Sequence, residues 1–275
     1  TLSGDNNCEG DTEVGTMLNV GSATALSAQS KLKVNNDGMV KLNGFDSTVA
    51  ALESGPQGGG VIEGSASLTA GDENNASFSG ILQDGTGALA FAKQGTGTQT
   101  LTGTNTYSGG TTVTAGILEI AGSGAINAAG ALSIGADGIL CFNTSADQML
   151  SGAITGSGDL VKQGTGELTI TGANSSFGGD AVLSGGELTL QNTDALGTGS
   201  LSQTDGSSTL IFDNTGTFDN DLSIFNVRFL QDVILSGNII ANNNTYDVVS
   251  GETTVSGNIT SANNDDGPSG GTTKT

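Results

Sequence analysis

Lys93-Gln94-Gly95-Thr96-Gly97 recurs letter for letter as Lys162-Gln163-Gly164-Thr165-Gly166. The register holds beyond this pentapeptide, because Asn105 falls on Asn174 at the same offset. A shorter pattern, an apolar residue followed by Ser-Gly-x-Ile/Leu, occurs four times, and its last two copies begin at Leu235 and Val255. A unit of roughly 20 residues therefore underlies the longer repeat, with about three short units in each long one.

Apolar and polar residues alternate with a period of two in the segments between the glycine-rich stretches. Leu168 and Ile170 share one face of such a segment, while Thr169 and Thr171 take the other. Alternation over four to eight residues indicates half-buried strands, and the Gly, Asn, Asp and Ser clusters between them supply turns. No long stretch has the apolar spacing of a helix, so the sequence predicts an all-β fold.

The short repeat and the composition favour a solenoid over a sandwich, a barrel or a propeller. A propeller blade needs ~40 to 45 residues, about twice the unit seen here. Aromatic residues make up 4% of the chain and glycines number 46, which suits a narrow core with tight corners. At roughly 20 to 23 residues per coil, we predict a right-handed parallel β-helix of about 12 to 14 coils. It is expected to span residues 1–261, with a polar tail over residues 262–275.

The composition excludes several classes of function. The chain has no His, which removes Ser-His-Asp and Cys-His catalysis and any His-ligated metal. Acidic residues number 28 against seven basic ones, a formal net charge of −21, which disfavours binding to nucleic acid or anionic lipid. No apolar run reaches about 18 residues, so no transmembrane helix is expected. Cys8 and Cys141 would lie about 29 Å apart on such a solenoid, too far to form a disulfide.

Residues 95–118 carry the string Gly-Thr-Gly…Leu-Thr-Gly-x-Asn-x-Tyr-Ser-Gly-Gly, and residues 164–188 keep it more loosely. This string resembles the passenger-associated repeat of Gram-negative autotransporters, the proteins of type V secretion. The resemblance implies a β-helical passenger at the cell surface or released from it, exported by a C-terminal β-barrel translocator that lies outside these residues. The low aromatic and Cys contents suit a chain that is exported unfolded and then folds coil on coil.

Most passengers of this family are adhesins, aggregation factors or stalks, and the resemblance therefore implies a non-catalytic surface adhesin. The implied partners are copies of itself on neighbouring cells, or host matrix and glycans; the alternative is a passive stalk that holds another functional domain. Contacts are expected along Thr and Asn side chains repeated at coil spacing, although the same residue types also serve strands, turns and internal ladders. The candidate binding residues are Thr100, Thr102, Thr104, Asn242, Asn243 and Asn244.

Carboxylates are the remaining source of acid–base or metal chemistry. Residues 5–11 place acids at alternating positions with Gly at the sixth, as a Ca²⁺ loop does, but Thr16 stands where the bidentate Glu is needed. Paired carboxylates can hydrolyse polysaccharides, yet sugar sites also use aromatic platforms, and the chain has two Tyr and no Trp. We therefore expect no catalytic residue, no metal and no cofactor, and a carboxylate hydrolase ranks below the adhesin and the stalk.

Overall fold

A computed structural model describes residues 1–127 and 129–261 of the chain, without the side chains of residues 243–245 and 261. All named elements in this part of the chain are β-strands, as the period-two alternation predicts. The strands are β1 (Thr12–Val14), β2 (Met17–Asn19), β3 (Lys31–Val34), β4 (Met39–Lys41), β5 (Ser47–Val49), β6 (Ala51–Ser54), β7 (Val61–Gly64), β8 (Ser67–Ala70), β9 (Ala76–Phe78), β10 (Ile81–Asp84), β11 (Ala90–Lys93), β12 (Thr98–Leu101), β13 (Thr111–Gly122), β14 (Leu132–Thr144), β15 (Gln148–Leu150), β16 (Ile154–Gly156), β17 (Asp159–Lys162), β18 (Glu167–Ile170), β19 (Ala181–Leu183), β20 (Glu187–Leu190), β21 (Leu201–Gln203), β22 (Thr209–Phe212), β23 (Gly216–Phe218), β24 (Leu222–Phe229), β25 (Val233–Leu235), β26 (Ile239–Val248), β27 (Thr253–Val255) and β28 (Ile259–Ser261).

The strands stack in parallel on three faces, which the chain visits in the order A, B, C. Face A consists of β1, β3, β6, β9, β12, the second halves of β13 and β14, β17, β19, β21, the first halves of β24 and β26, and β28. Face B begins with β2, β4, β7 and β10 and continues with β15, β18, β20, β22 and the second halves of β24 and β26. Face C consists of β5, β8, β11, the first halves of β13 and β14, β16, and later β23, β25 and β27.

Successive coils pair in register along face A, although the coils differ in length. The number of residues in a coil is small where Leu222 lies opposite Ile239 and larger where Ala76 lies opposite Gln99. Thirteen strands on this face mark about 12 coils, at the lower end of the predicted range. At ~4.8 Å per coil the stack is roughly 58 Å long. The predicted parallel β-helix is confirmed.

The core is a narrow column in which inward-pointing side chains of successive coils lie directly above one another. Leu118, Leu140 and Leu160 stack in this way, and each is at most 2% exposed. Near the C-terminal end of the column, Phe212 contacts Phe218 and Phe229 at ring-centroid distances of 4.7 and 5.4 Å. A column this narrow fills with Leu, Ile and Val, which explains why few aromatic residues suffice.

Two faces lose a strand in part of the stack, and ordered loops take the place of these strands. On face B, residues 102–110 and 123–127 replace the strands of two successive coils, joined by a bridge between Thr104 and Ala125. On face C, residues 171–180 and 191–200 do the same further along the stack. The regular strands and these loops together set which side chains reach the surface of the rod. The predicted boundary at residue 261 stays a prediction, because residues 262–275 lie outside the described part of the chain.

Candidate functional site

The repeated pentapeptide forms a corner of the β-helix that is locked from inside by its lysine. Lys93 is 1% exposed, and its Nζ donates to the carbonyl oxygens of Gln94 at 2.6 Å, of Gly95 at 2.8 Å and of Ala115, one coil later, at 3.2 Å. Burial lowers the pKa of Lys93 to about 8. The three carbonyl dipoles replace part of the water that a charged ammonium loses on burial.

The second copy of the corner has the same arrangement. Lys162 is 2% exposed and donates to the carbonyl oxygens of Gln163, Gly164 and Gly185, the last two at 3.1 Å. Burial lowers its pKa as well. The sequence analysis identified the repeat but missed this role of the lysine. A signal for this role was present in the sequence: the chain has only seven basic residues, and two of them stand at equivalent positions of the two copies.

Glycine occupies two positions of this corner for two different reasons. Gly95 and Gly164 have φ angles of +69° and +64°, in the left-handed region where a side chain is strained. Gly97 and Gly166 have no space for a Cβ atom, which would lie 2.1 and 2.5 Å from carbonyl oxygens of the preceding coil. The Gly-Thr-Gly spacing therefore closes the turn and lets two coils approach each other.

A buried asparagine ties three coils together in each copy of the repeat. Asn174 accepts the N–H of Ile154 in the preceding coil at 2.8 Å and donates to the carbonyl of Ala195 in the following coil at 2.7 Å. Asn105 does the same between Leu82 and Ala125, at 2.9 and 3.0 Å. Both amides are at most 2% exposed, and they supply acceptors for the N–H groups of Leu82 and Ile154, which face the coil where a strand is missing.

The two copies of the repeat lie on different faces of the rod. Lys93 ends a face-C strand and leads into face A, whereas Lys162 ends a face-A strand and leads into face B. Three full coils along face A lead from Thr98 to Asp159. The repeat, from Lys93 to Lys162, covers three full coils and one further face. The estimate of three coils to one repeat was therefore short by one face. Because the shared lysines and asparagines are buried, and the two copies lie on different faces, the repeat serves the fold rather than one binding surface.

The three candidate threonines do not form one row, because the chain turns a corner among them. Thr100 lies on the outward side of β12 and donates to Glu119 Oε2 at 2.8 Å. Thr102 follows the end of that strand and is half-buried, and Thr104 is exposed in the loop that replaces a face-B strand. Of the three, Thr100 belongs to face A.

The asparagine candidates lie near the C-terminal end of the stack. Asn242 follows the face-A half of β26, and its Nδ2 donates to Ser223 Oγ at 2.9 Å. The side chains of Asn243 and Asn244 lie outside the described residues. On face A, seven coil steps lead from Thr100 to Ile240, which lies two residues before Asn242. At the usual strand spacing this distance is about 34 Å. The structure does not bring the Thr and Asn candidates together.

The outward column that contains Thr100 has one side chain per coil and is mixed in character. It includes Ser77, Thr100, Glu119, Cys141, Val161, Val182, Ser202, Ser223, Ile240 and Thr260. Most side chains towards its ends are polar, with Ile240 as an exception, and Cys141, Val161 and Val182 form an apolar middle. The uniformly polar face expected from composition is therefore interrupted on face A.

Many of the acidic residues cap the backbone of the next coil. Seven aspartates in loops or at strand ends accept a main-chain N–H from a residue 17 to 24 positions later; for example, Asp147 accepts from Glu167 at 2.9 Å and Asp232 from Glu252 at 2.8 Å. Asp84 makes the largest set, accepting from the N–H of Leu89 and from both the N–H and the Oγ of Ser108, at 2.6 to 2.9 Å. Burial acts to raise its pKa, but these hydrogen bonds outweigh it and the pKa is lowered.

These caps account for much of the acidic composition in structural terms. Among the described residues, no group of three or more His, Cys, Asp or Glu side chains could hold a metal ion. The described part of the chain also contains no helix able to cross a membrane. Cys8 is exposed and Cys141 is buried, and neither is bonded to the other, as predicted.

The middle of the rod presents acidic groups without accessible basic ones. Residues 54–227 contain 16 acidic residues and two basic residues, Lys93 and Lys162, both of which are buried. The ion pairs of the described residues involve Lys31, Lys33 and Lys41 near the N-terminal end and Arg228 near the other. The charged groups on the outer surface of the central coils are therefore all acidic.

Comparison with known proteins agrees with the repeat geometry. The Passenger-associated-transport-repeat family matches residues 91–120 and 160–190, the two segments that begin at the lysine corners. The adhesin BmaC autotransporter of Brucella suis biovar 1 (strain 1330) is 39% identical over 107 residues. This alignment covers 37% of the chain but 3% of the relative, so the chain spans a small part of that protein. No solved structure matches the chain. The resemblance to autotransporter passengers with repeats is confirmed.

Proposed function

We propose that this chain, an autotransporter passenger with repeats, is an adhesive segment displayed at the surface of a Gram-negative bacterium and has no catalytic activity. The observation that carries the proposal is the outward column on face A, which repeats one side chain per coil from Ser77 to Thr260. A rigid rod with regularly spaced contact groups suits attachment through many weak contacts. The similarity to a protein named as an adhesin supports the same assignment.

The energy of such attachment comes from the number of contacts rather than from any one of them. A single hydrogen bond between two surfaces nets only ~1 kcal/mol. Several contacts per rod, and many rods per cell, raise the overall strength through avidity without new chemistry. Contacts between copies on neighbouring cells are the form of adhesion that we propose first.

Charge sets the conditions under which these contacts form. With 28 acidic and seven basic residues, two rods repel each other at low ionic strength. Salt shortens the range of this repulsion to about 10 Å at 0.1 M. Contacts between copies should therefore strengthen from low to moderate salt.

Bead aggregation tests the proposal directly. Beads coated with the chain are mixed over a series of salt concentrations, with uncoated beads as the control. We expect clumping that increases with moderate salt and that an excess of the free chain inhibits. Clumping that weakens steadily with salt, or that free chain does not inhibit, contradicts contacts between copies. Absence of clumping at every salt concentration contradicts the adhesive role between cells and favours a stalk.

A further inference from the structure

A broad depression lies on the outward side of face A, where β12, β13, β14 and β17 pass one another. It has a volume of about 480 Å³ and crosses four successive coils. Its floor is formed by Ile117, Ile139 and Val161, all half-buried, together with the buried Cys141. We call this depression the Glu119 groove.

The apolar floor departs from the alternation expected of half-buried strands. Alternation should place polar side chains on the solvent side of a half-buried strand, yet three β-branched aliphatic residues occupy outward positions in neighbouring coils here. Ile117 lies directly opposite Ile139 in the ladder, so their side chains form a continuous apolar surface. A concave apolar floor with a few fixed polar groups is the usual composition of a small binding site.

One carboxylate is held in place over this floor. Glu119 accepts a hydrogen bond from Thr100 Oγ1 at 2.8 Å on one oxygen and from Asn143 Nδ2 at 2.9 Å on the other. The donors come from the coils before and after, so they orient the carboxylate from both sides. A carboxylate has about four acceptor positions, which leaves capacity for a further donor from the groove.

The groove has no cation of its own. All ion pairs found among the described residues involve Lys31, Lys33, Lys41 or Arg228, and none includes Glu119. Burial, and then the Glu119 carboxylate, raise the pKa of Cys141 to about 11, so the neighbouring thiol is neutral at physiological pH. The charge that the groove presents to a ligand is therefore negative.

We propose that the Glu119 groove binds a lysine side chain of a partner polypeptide. The four-carbon stem of lysine packs on Ile117, Ile139 and Val161, and its ammonium donates to Glu119. The argument for this occupant is complementarity: an aliphatic floor takes the stem, an oriented carboxylate takes the charge, and the surrounding acidic surface attracts a basic segment. The groove crosses four coils and is therefore about 14 Å long, which is the length of roughly four residues of an extended peptide.

This inference rests on the proposed adhesive role for its biological setting, but its test does not depend on cell or bead adhesion. The isotope-labelled chain is titrated at low ionic strength with a short capped peptide that has one central lysine. The NMR signals of the Ile117 and Ile139 methyl groups report binding at the groove. We expect both signals to shift, and the norleucine version of the peptide, with the same stem and no charge, to bind about three- to fivefold more weakly.

Two charge-neutralising variants separate the groove from the general acidity of the rod. Glu119→Gln should weaken peptide binding by about three- to fivefold. Glu167→Gln is the matched control, because Glu167 lies on face B and also accepts hydrogen bonds from two side chains, those of Thr169 and Thr189. It should leave binding unchanged.

Three outcomes overturn the proposal. Methyl signals that do not move exclude binding at the groove. Equal losses in the two variants reduce the effect to non-specific attraction. Free butylamine that binds as well as the peptide overturns the assignment to a polypeptide and indicates a site for small amines. Failure of bead clumping leaves each of these readouts intact, so the two proposals fail separately.

Discussion

Replacing Asn174 by alanine tests whether buried amides hold the coils together where a strand is missing. The change removes the acceptor for the N–H of Ile154 and the donor to the carbonyl of Ala195, at 2.8 and 2.7 Å in the structure. Asn174 is 1% exposed, so water cannot readily replace either bond. A buried backbone group left unpaired costs ~1 to 3 kcal/mol, and two such groups give an expected loss of about 2 to 6 kcal/mol.

Urea denaturation followed by far-UV circular dichroism measures this loss, because the chain has no Trp to report unfolding by fluorescence. Asn36→Ala is the control, since Asn36 is exposed and its side chain makes one long contact, 3.5 Å, with its neighbour Asp37. We expect the control to stay within ~0.5 kcal/mol of the parent chain. The slope of the transition should be unchanged between variants if they unfold over the same coils. A loss at Asn174 no larger than that of the control refutes the reasoning.

Three further predictions concern the charged groups of the fold. Lys162→Met leaves three carbonyls without their donor and should lower the free energy of unfolding by about 2 kcal/mol, whereas Lys33→Met, at a surface ion pair, should cost clearly less in the same urea assay. Folding lowers the pKa of Lys93 from 10.5 to about 8, so between these pH values the unfolded chain binds more protons than the folded chain. The parent chain should therefore gain stability relative to Lys93→Met as the pH rises through this range. A stability difference between the two that does not change with pH contradicts this. The pKa of Asp84 is lowered from 3.8, so its contribution is present above about pH 4 and is lost at lower pH; Asp84→Asn should flatten the acid limb of a stability–pH curve, and an unchanged limb refutes the assignment.

The fold could be predicted because its main determinants are local and periodic. Alternation such as that of Leu168 and Ile170 specifies a half-buried strand, and a unit of roughly 20 residues specifies a coil. Gly95 and Gly97 indicate a corner independently of the neighbouring side chains, because a positive φ and a close approach of two backbones both require glycine. These signals are contained in short stretches of sequence, and the structure confirms them.

The surface could not be predicted in the same way, because it depends on which coil lies beside which. Thr100, Thr102 and Thr104 alternate in sequence, but a corner after Leu101 places Thr104 on another side of the rod. Glu119 and Asn143 are distant in sequence and meet only because coils of unequal length bring them into adjacent register. The repeat likewise advances by one face between its two copies, because its length is not a whole number of coils.

The two copies of the repeat show where a binding specificity can reside in such a rod. Some inward positions agree between copies: Leu118 corresponds to Leu188, although Gln99 corresponds to Leu168. Two outward positions differ, since Ile117 corresponds to Glu187 and Glu119 to Thr189. The interior of each coil must match its neighbours, so those positions are constrained to stack, whereas an outward side chain changes without disturbing the column. Ile117 and Glu119 of the Glu119 groove lie at unmatched positions, whereas Thr100 and Gln163 have the same residue type in the other copy, at Thr169 and Gln94. A rod of this kind can therefore keep one folding unit while acquiring a different recognition surface on each face.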